Sequence, residues 1–381
     1  MLDFGDREID RPIGQGPRRR SPRDPGSRRV AIGAGAAAVV LFGLSVLATL
    51  HDDGLRSPPP LVVATPTSEP EPEVPAAETP RASGPSITRI EPRSDTDSPS
   101  VVTIRDPAGL SRNAATAHLP DPDLVEPSDY GPLPRRSADG TRPFDAYARP
   151  WSGARGARIA IVVGGLGLSQ TGTQRAIEVL PAEVTLAFAP AGNSLDRWMQ
   201  TARRKGHELL MQVPLEPFDY PNVDPGRGTL TVDADPMTFR EDLQWTLGRM
   251  TNYTGIMNYM GARFVADPGA MQALMRELAD RGLGYLDDGS SARSIADAQA
   301  ASAGVPFAAA SVAIDTVRER GDILRKLDEA ERVARATGSA IAIGAGFDVT
   351  VDAVSAWISE ARLRGIEIVG YSALANDPER R

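Results

Sequence analysis

The sequence predicts an α/β domain over residues 154–376, a distorted or incomplete (β/α) barrel set behind one transmembrane helix and a disordered linker. Three observations carry that prediction. From residue 159 onward, short apolar runs alternate with helix-patterned stretches, the pattern of parallel strands joined by helical crossovers. Of the 33 prolines, 19 fall between residues 51 and 150, which leaves the C-terminal part as the stretch able to bury a core. Residues 30–50 carry no charge at all.

That uncharged stretch, VAIGAGAAAVVLFGLSVLATL, spans roughly 30 Å as a helix, about the hydrocarbon thickness of a bilayer. Arg18, Arg19, Arg20, Arg23, Arg28 and Arg29 precede it, and Asp52 and Asp53 follow. The positive-inside rule therefore places residues 1–29 in the cytoplasm as a basic tail and makes 30–50 a single-pass anchor in the inner membrane, with the C-terminal domain periplasmic. A cleaved signal peptide is the rival reading; its apolar core would be shorter, and no A-x-A site follows here. Residues 51–153 read as a Pro-rich tether that buries too little apolar surface to offset its ordering entropy. Residues 87–90 and 101–104 are its only short β-prone docking candidates.

Within the domain, strands are expected at 159–163, 184–188, 209–213, 255–259, 284–286, 308–314, 340–343 and 367–371. Helices are expected near 170–180, 194–205, 236–250, 268–281, 293–303, 318–337 and 350–364. Asp235-Pro236 and Asp267-Pro268 supply an N-cap and a proline at two helix starts, and Gly206, Gly282, Gly338 and Gly365 close others. Eight strands in this length fit a (β/α) barrel, with a doubly wound open sheet as the alternative.

Composition then removes whole classes of function. There is no cysteine, which excludes disulfides, a thiolate nucleophile and Cys-ligated metals. Of His51, His118 and His207 only the last lies within 154–376, so a multi-histidine site inside that domain is impossible. His207 sits at a strand start, away from the expected active face, and reads as structural. A net charge of −8 argues against nucleic acid as a partner. All basic residues except Lys205 and Lys326 are arginine, as GC-rich codon usage would give.

In a parallel barrel the chemistry sits where strands end. Those positions are Gly164-Gly165, Ala189-Pro190, Gln212 to Glu216, Asn258-Tyr259-Met260-Gly261, Asp287-Asp288, Asp315, Gly344-Ala345-Gly346 and Ser372. In order and spacing, IAIVVGGLG (159–167), VTLAFAP (184–190), GHELLMQVPLEP (206–217), GIMNYMGARF (255–264), GYLDDGSS (284–291) and AIAIGAGFDVT (340–350) resemble the divergent polysaccharide deacetylase family, related to the barrel-shaped polysaccharide deacetylases. The resemblance implies a deformed (β/α) barrel of the polysaccharide deacetylase type, a carbohydrate substrate and, in catalytic relatives, a divalent metal held by Asp and His.

This chain departs from that pattern at the metal-binding motifs. Where typical members open with Ile-Asp-Asp it has Val163-Gly164-Gly165, and where they carry His before x-Pro-Met it has Gln212. Asn258-Tyr259-Met260-Gly261-Ala262 replaces Asn-His-Met-Gly-Ser, and Gly344-Ala345-Gly346 replaces Gly-His-Pro. A hydrolytic zinc needs about three protein ligands, so no cofactor and no resident metal are expected. The remaining acids, Asp287, Asp288, Asp315 and Glu216, are the candidates for chemistry, and as oxygen ligands they suit Mg²⁺ or Ca²⁺ rather than zinc. Adjacent Asp287 and Asp288 face opposite ways on a strand, so at most one points at a shared centre. Gly164, Gly165, Gln212, Asn258, Tyr259, Arg263 and Asp288 are the candidate ligand-binding residues, with Trp198, Phe218 and Tyr220 as further aromatic contacts. Three functions compete: a membrane-anchored protein that binds peptidoglycan or another polysaccharide on a catalytically degenerate fold, a hydrolase with a rebuilt carboxylate site, and an envelope scaffold.

Overall fold

In a computed structural model, the structure describes residues 116–380. The basic tail, the anchor at 30–50 and the first part of the tether lie outside the described residues. Among the described residues no helix is long and apolar enough to cross a membrane.

The domain is one curled, all-parallel sheet wrapped by helices. Its strands are β1 (Arg158–Leu166), β2 (Thr185–Phe188), β3 (Leu209–Leu215), β4 (Gly255–Met260), β5 (Gly284–Asp287), β6 (Phe307–Ala309), β7 (Val312–Ala313), β8 (Ser339–Ala345) and β9 (Glu367–Val369). The helices are α1 (Gln170–Val179), α2 (Leu195–Lys205), α3 (Pro236–Leu247), α4 (Pro268–Arg281), α5 (Ala296–Ala303), α6 (Arg320–Thr337) and α7 (Asp348–Leu363). The strand order is β6-β5-β4-β3-β2-β1-β8-β7, with β9 paired to β1 outside that path. The apolar run at 308–314 is thus two short strands at opposite ends of the sheet. The Ala310 N–H donates to Asp287 O at 2.8 Å and the Ser311 N–H to Ile341 O at 2.7 Å, so one extended segment joins both ends. β9 pairs with Arg158, Ile159 and Ala160, while β2 pairs with Val162, Val163 and Leu166 further along β1. The last strand therefore takes only the lower half of the β1 edge, and that sharing deforms the barrel.

Strand alternation sorts the core into two. Ile159, Ile161 and Val163 face the helices, whereas Ala160 and Val162 face the interior with Ala187, Leu210, Leu286 and Ala308. Ala160, Ala187 and Ala308 alternate there with larger side chains, as suits a narrow barrel. Its strand-start end is plugged by Phe144 and Tyr371, packed edge to face with ring centroids 6.3 Å apart. Gly255 and Gly284 admit this plug, since a Cβ on either would stand 2.4 or 2.6 Å from the Tyr371 hydroxyl.

Phe144 belongs to the segment expected to be tether, and here the sequence reading of 51–153 needs correction. From residue 116 onward the chain is a strap folded across the strand-start end, carrying the small ladder Val125–Glu126 with Leu133–Pro134 and a one-turn helix, Pro143–Ala146. Leu124, Leu133, Phe144 and Tyr147 are buried. Asn252 donates to Ala117 O and Leu119 O, Arg203 to Tyr147 O, and the Phe144 N–H to Gly282 O. Arg142 makes a buried two-pronged pair with Asp377, 3.0 and 2.6 Å, which ties the strap to the C-terminal residues. The strap escapes a periodicity reading because its apolar anchors are irregularly spaced, and each buried one contributes on the order of 1.5–3 kcal/mol without secondary structure.

The expected helix punctuation is present. Asp235 accepts from the Met237 and Thr238 N–H groups, Asp267 accepts from Ala270, and a proline follows each. His207 is structural, as expected: fully buried, its Nδ1 2.8 Å from Val184 O, with its pKa pushed by burial down to about 4. Between pH 4 and the ordinary histidine value of 6.5 the unfolded chain binds a proton that the folded chain rejects. Stability from this group is therefore complete above pH 6.5 and falls on acidification, by about 3 kcal/mol by pH 4. His207→Gln should flatten the difference in chemical-denaturation midpoints between these pH values; an unchanged slope would refute the assignment.

Candidate functional site

The strand ends open into a cleft of about 780 Å³. Its floor is apolar, with Met257, Ile343, Ala313 and Pro214, and its walls bring together Gly164, Gly165, Gln212, Asn258, Tyr259, Asp288 and Asp315 from the expected set. Glu216, Arg263 and Asp287 are not among the lining residues.

Those three hold loops. Glu216 is buried; its carboxylate accepts the Val232 N–H at 2.7 Å and pairs with Arg263, which also reaches Asp233 at 2.8 Å. This clasp fixes the 216–235 loop against the end of β4 and leaves neither group free for a ligand. Asp287 accepts from the Gly289 N–H (2.8 Å) and the Ser294 hydroxyl (2.5 Å), so it braces its own turn. Only Asp288 of the pair reaches the cleft, as strand alternation requires. Trp198 is buried in the outer core, while Phe218 is exposed on the 216–235 loop, and neither lines the cleft.

Asn258 lines the cleft with both ends of its amide in use. Its Oδ1 accepts the Asp288 N–H at 2.8 Å and its Nδ2 donates to Met260 O at 2.9 Å, so it positions the β4 and β5 ends. Asp288 accepts the Ser290 N–H at 2.9 Å; burial raises its pKa, and neighbouring Asp287 adds to the shift. Asp315 stitches two strand ends, accepting through one oxygen from the Ala345 N–H (2.7 Å) and the Thr350 hydroxyl (3.0 Å). Tyr259, 43% exposed, stands at the mouth.

The replacements at the resemblance's metal positions fit one another. Gln212 accepts the Gly165 N–H at 2.7 Å, and its Nε2 lies 3.0 Å from where a Cβ on Gly164 would be. The carboxamide thus occupies room that a side chain at 164 would need. Gly164→Ala should cost about 1–3 kcal/mol by overpacking. Adding Gln212→Ala should recover part of that loss, a coupling readable in a double-mutant cycle of thermal unfolding. Additive losses would contradict the steric account.

The donor set does not fit a hydrolytic zinc. Gly164, Gly165, Gln212, Tyr259 and Ala345 offer no carboxylate or imidazole, and Asp315 is already engaged by a backbone and a hydroxyl donor. Among the described residues no group of three or more His, Cys, Asp or Glu is placed to hold a metal ion. The arrangement can accept hydrogen bonds from hydroxyls at Asp288, stack a ring on Tyr259, and cover an apolar face with its floor.

Sequence reasoning missed the basic and aromatic part of the lining: Arg227, Arg318 and Phe347. Arg227 stacks on Trp245 with its guanidinium 4.5 Å from the ring centroid, and Arg318 on Phe347 at 3.9 Å. No local signal marks these contacts, because each pairs residues from different loops or helices.

Residues 161–375 match the family model described as divergent polysaccharide deacetylase. The crystal structure of uncharacterized protein ATU2773 from Agrobacterium tumefaciens C58 is similar, with 54% identity, a TM-score of 0.63, and coverage of 64% of this chain and 99% of that one. An uncharacterized protein of Haemophilus influenzae is 28% identical over 217 residues, 57% of this chain and 76% of that protein. The uncharacterized protein YibQ of Escherichia coli K12 is 24% identical over 222 residues, 58% of this chain and 68% of that protein.

Proposed function

The chain belongs to the divergent polysaccharide deacetylase family, and from that premise we propose that its cleft binds a cell-envelope glycan without hydrolysing it by the metal route. The observation that supports this reading most is the lining itself. An apolar floor, an exposed tyrosine and hydrogen-bond acceptors in one cleft suit a sugar ring, while the positions that would carry metal ligands hold Gly164, Gly165, Gln212, Tyr259 and Ala345. Asp288 receives hydroxyl donors, Tyr259 offers a stacking face, and Asn258 keeps the Asp288 backbone in place.

Titration calorimetry of residues 116–380 with acetylated chitooligosaccharides tests the reading. Tyr259→Ala and Asp288→Ala should each weaken binding about tenfold with the fold intact. No binding by the unaltered domain, or binding indifferent to both changes, would refute it.

We propose also that residues 30–50 anchor the chain in the inner membrane with the domain in the periplasm, supported by the six arginines before that stretch. A reporter for this topology belongs after Arg381, because Asn376 and Asp377 bond to Phe307 and Arg142 within the fold. Reporter activity confined to the cytoplasm would overturn the orientation.

A further inference from the structure

The two arginines of the cleft narrow the chemistry of its ligand. Arg227 lies on the loop after β3, and Arg318 on the loop after β7. Along the sheet, β3 is three strands from β6 and four from β7, so the two loops rise on opposite walls.

Each guanidinium is held in place before any ligand arrives. Arg227 lies over Trp245, and Gly228, with φ +78°, brings the chain so close that a Cβ there would stand 2.6 Å from that ring. Arg249 lies against the same indole, 5.6 Å from its centroid, and donates to Pro190 O at 2.8 Å and Gly192 O at 3.2 Å, which fixes the platform to the neighbouring cleft loop. Arg318 rests on Phe347, itself a lining residue. Stacking engages the face of a guanidinium and leaves its in-plane N–H groups pointing outward, the edge that receives a carboxylate in two parallel hydrogen bonds. Neighbouring arginines at this end of the domain have acidic partners, Arg175 with Asp352 at 2.5 Å and Arg263 with Glu216 and Asp233. Neither Arg227 nor Arg318 makes a direct ion pair among the described residues; Arg227 has Asp242 of α3 as an acidic neighbour within electrostatic reach.

We infer that the cleft takes a glycan bearing carboxylates on separate sugars, one received by Arg227 and one by Arg318. The inference rests on the glycan-binding reading above and specifies its substrate class. A single negative charge per group suits the site better than a doubly charged phosphate, because Asp288, Asp315 and Asp348 line the same cleft and repel excess anion. Two fixed cations on opposite walls also match charges spaced along a chain rather than one compact anion. Preorganisation matters because little side-chain entropy is lost when the carboxylate arrives.

Three ligands of equal sugar number separate the outcomes. They are a chitooligosaccharide, a peptide-free glycan strand in which every second sugar carries a lactyl carboxylate, and the same strand with those carboxylates methyl-esterified. Calorimetry on residues 116–380 at low salt should show the free-acid strand binding about tenfold more tightly than the other two, with the advantage shrinking at high salt. Arg227→Gln and Arg318→Gln should each weaken the free-acid strand about fivefold and shrink its advantage over the methyl-esterified strand by the same factor, because the ester lacks the charge that each arginine receives. Equal binding of all three ligands, indifferent to both arginine changes, would overturn the carboxylate inference and leave the glycan reading standing. Binding of none would overturn both.

Discussion

A domain that starts at residue 154 should fail to unfold cooperatively, whereas one that starts at residue 116 should give a single sharp transition. The difference follows from what the strap does to buried groups. Removing 116–153 takes away Phe144, whose loss opens a cavity beside Tyr371, Gly255 and Gly284 at the strand-start end of the barrel. Truncating a buried phenylalanine costs about 3–5 kcal/mol. It also strips Arg142 from Asp377, and breaking a buried pair from one side costs about 3–5 kcal/mol more. Glu208, fully buried, loses the Arg149 N–H at 2.9 Å and keeps only the Ser372 N–H and hydroxyl as hydrogen-bond donors. Together these losses reach the whole stability of an ordinary domain, about 5–15 kcal/mol. Phe144→Ala in the longer domain isolates the first contribution and should lower stability by about 3–5 kcal/mol in urea. Equal melting of the 116–380 and 154–380 domains would show that the strap is an appendage after all.

The same segment shows where sequence legibility ended. The strands were legible because short continuous apolar runs such as residues 159–163, buried on both faces as parallel strands are, stand between helix-patterned stretches divided by Asp-Pro caps and closing glycines. The strap was not, because proline-rich text with Leu124, Leu133, Phe144 and Tyr147 at uneven intervals has neither helical nor strand period. The split of 307–313 into two strands was equally hidden, since its hydrogen-bond partners, Asp287 and Ile341, lie on opposite ends of the sheet. Within the site, strand-end position alone found Gly164, Gly165, Gln212, Asn258, Tyr259, Asp288 and Asp315. It also pointed to Glu216 and Asp287, which stay outside the lining; Glu216 pairs instead with Arg263, itself a ligand-binding candidate, across 47 residues, a pairing set by loop folding rather than by strand register. Arg227 and Arg318 went unseen because their aromatic platforms, Trp245 and Phe347, are brought to them by helix and loop packing.

The second large effect concerns catalysis. Residues 116–380 should retain no stoichiometric zinc after dialysis, and should release acetate from acetylated chitooligosaccharides no faster than buffer. A metal-bound hydroxide lowers the barrier by several kcal/mol, a thousandfold or more in rate, and needs ligands that Gly164, Gly165, Gln212, Tyr259 and Ala345 do not supply. Restoring only Gly164→Asp should not change this, because Gln212 occupies the adjoining space and no histidine stands at the other positions.

The central claim is that the cleft holds a glycan intact, and one nuclear magnetic resonance experiment observes both halves at once. Residues 116–380 are mixed with an acetylated chitooligosaccharide and added zinc, saturation transfer from protein to sugar reports binding, and the free-acetate signal reports turnover in the same tube. Saturation transfer should be present, should be lost in Tyr259→Ala, and should be accompanied by an acetate signal that stays at the level of the buffer control. Acetate that accumulates with protein concentration and stops on addition of a chelator would contradict it.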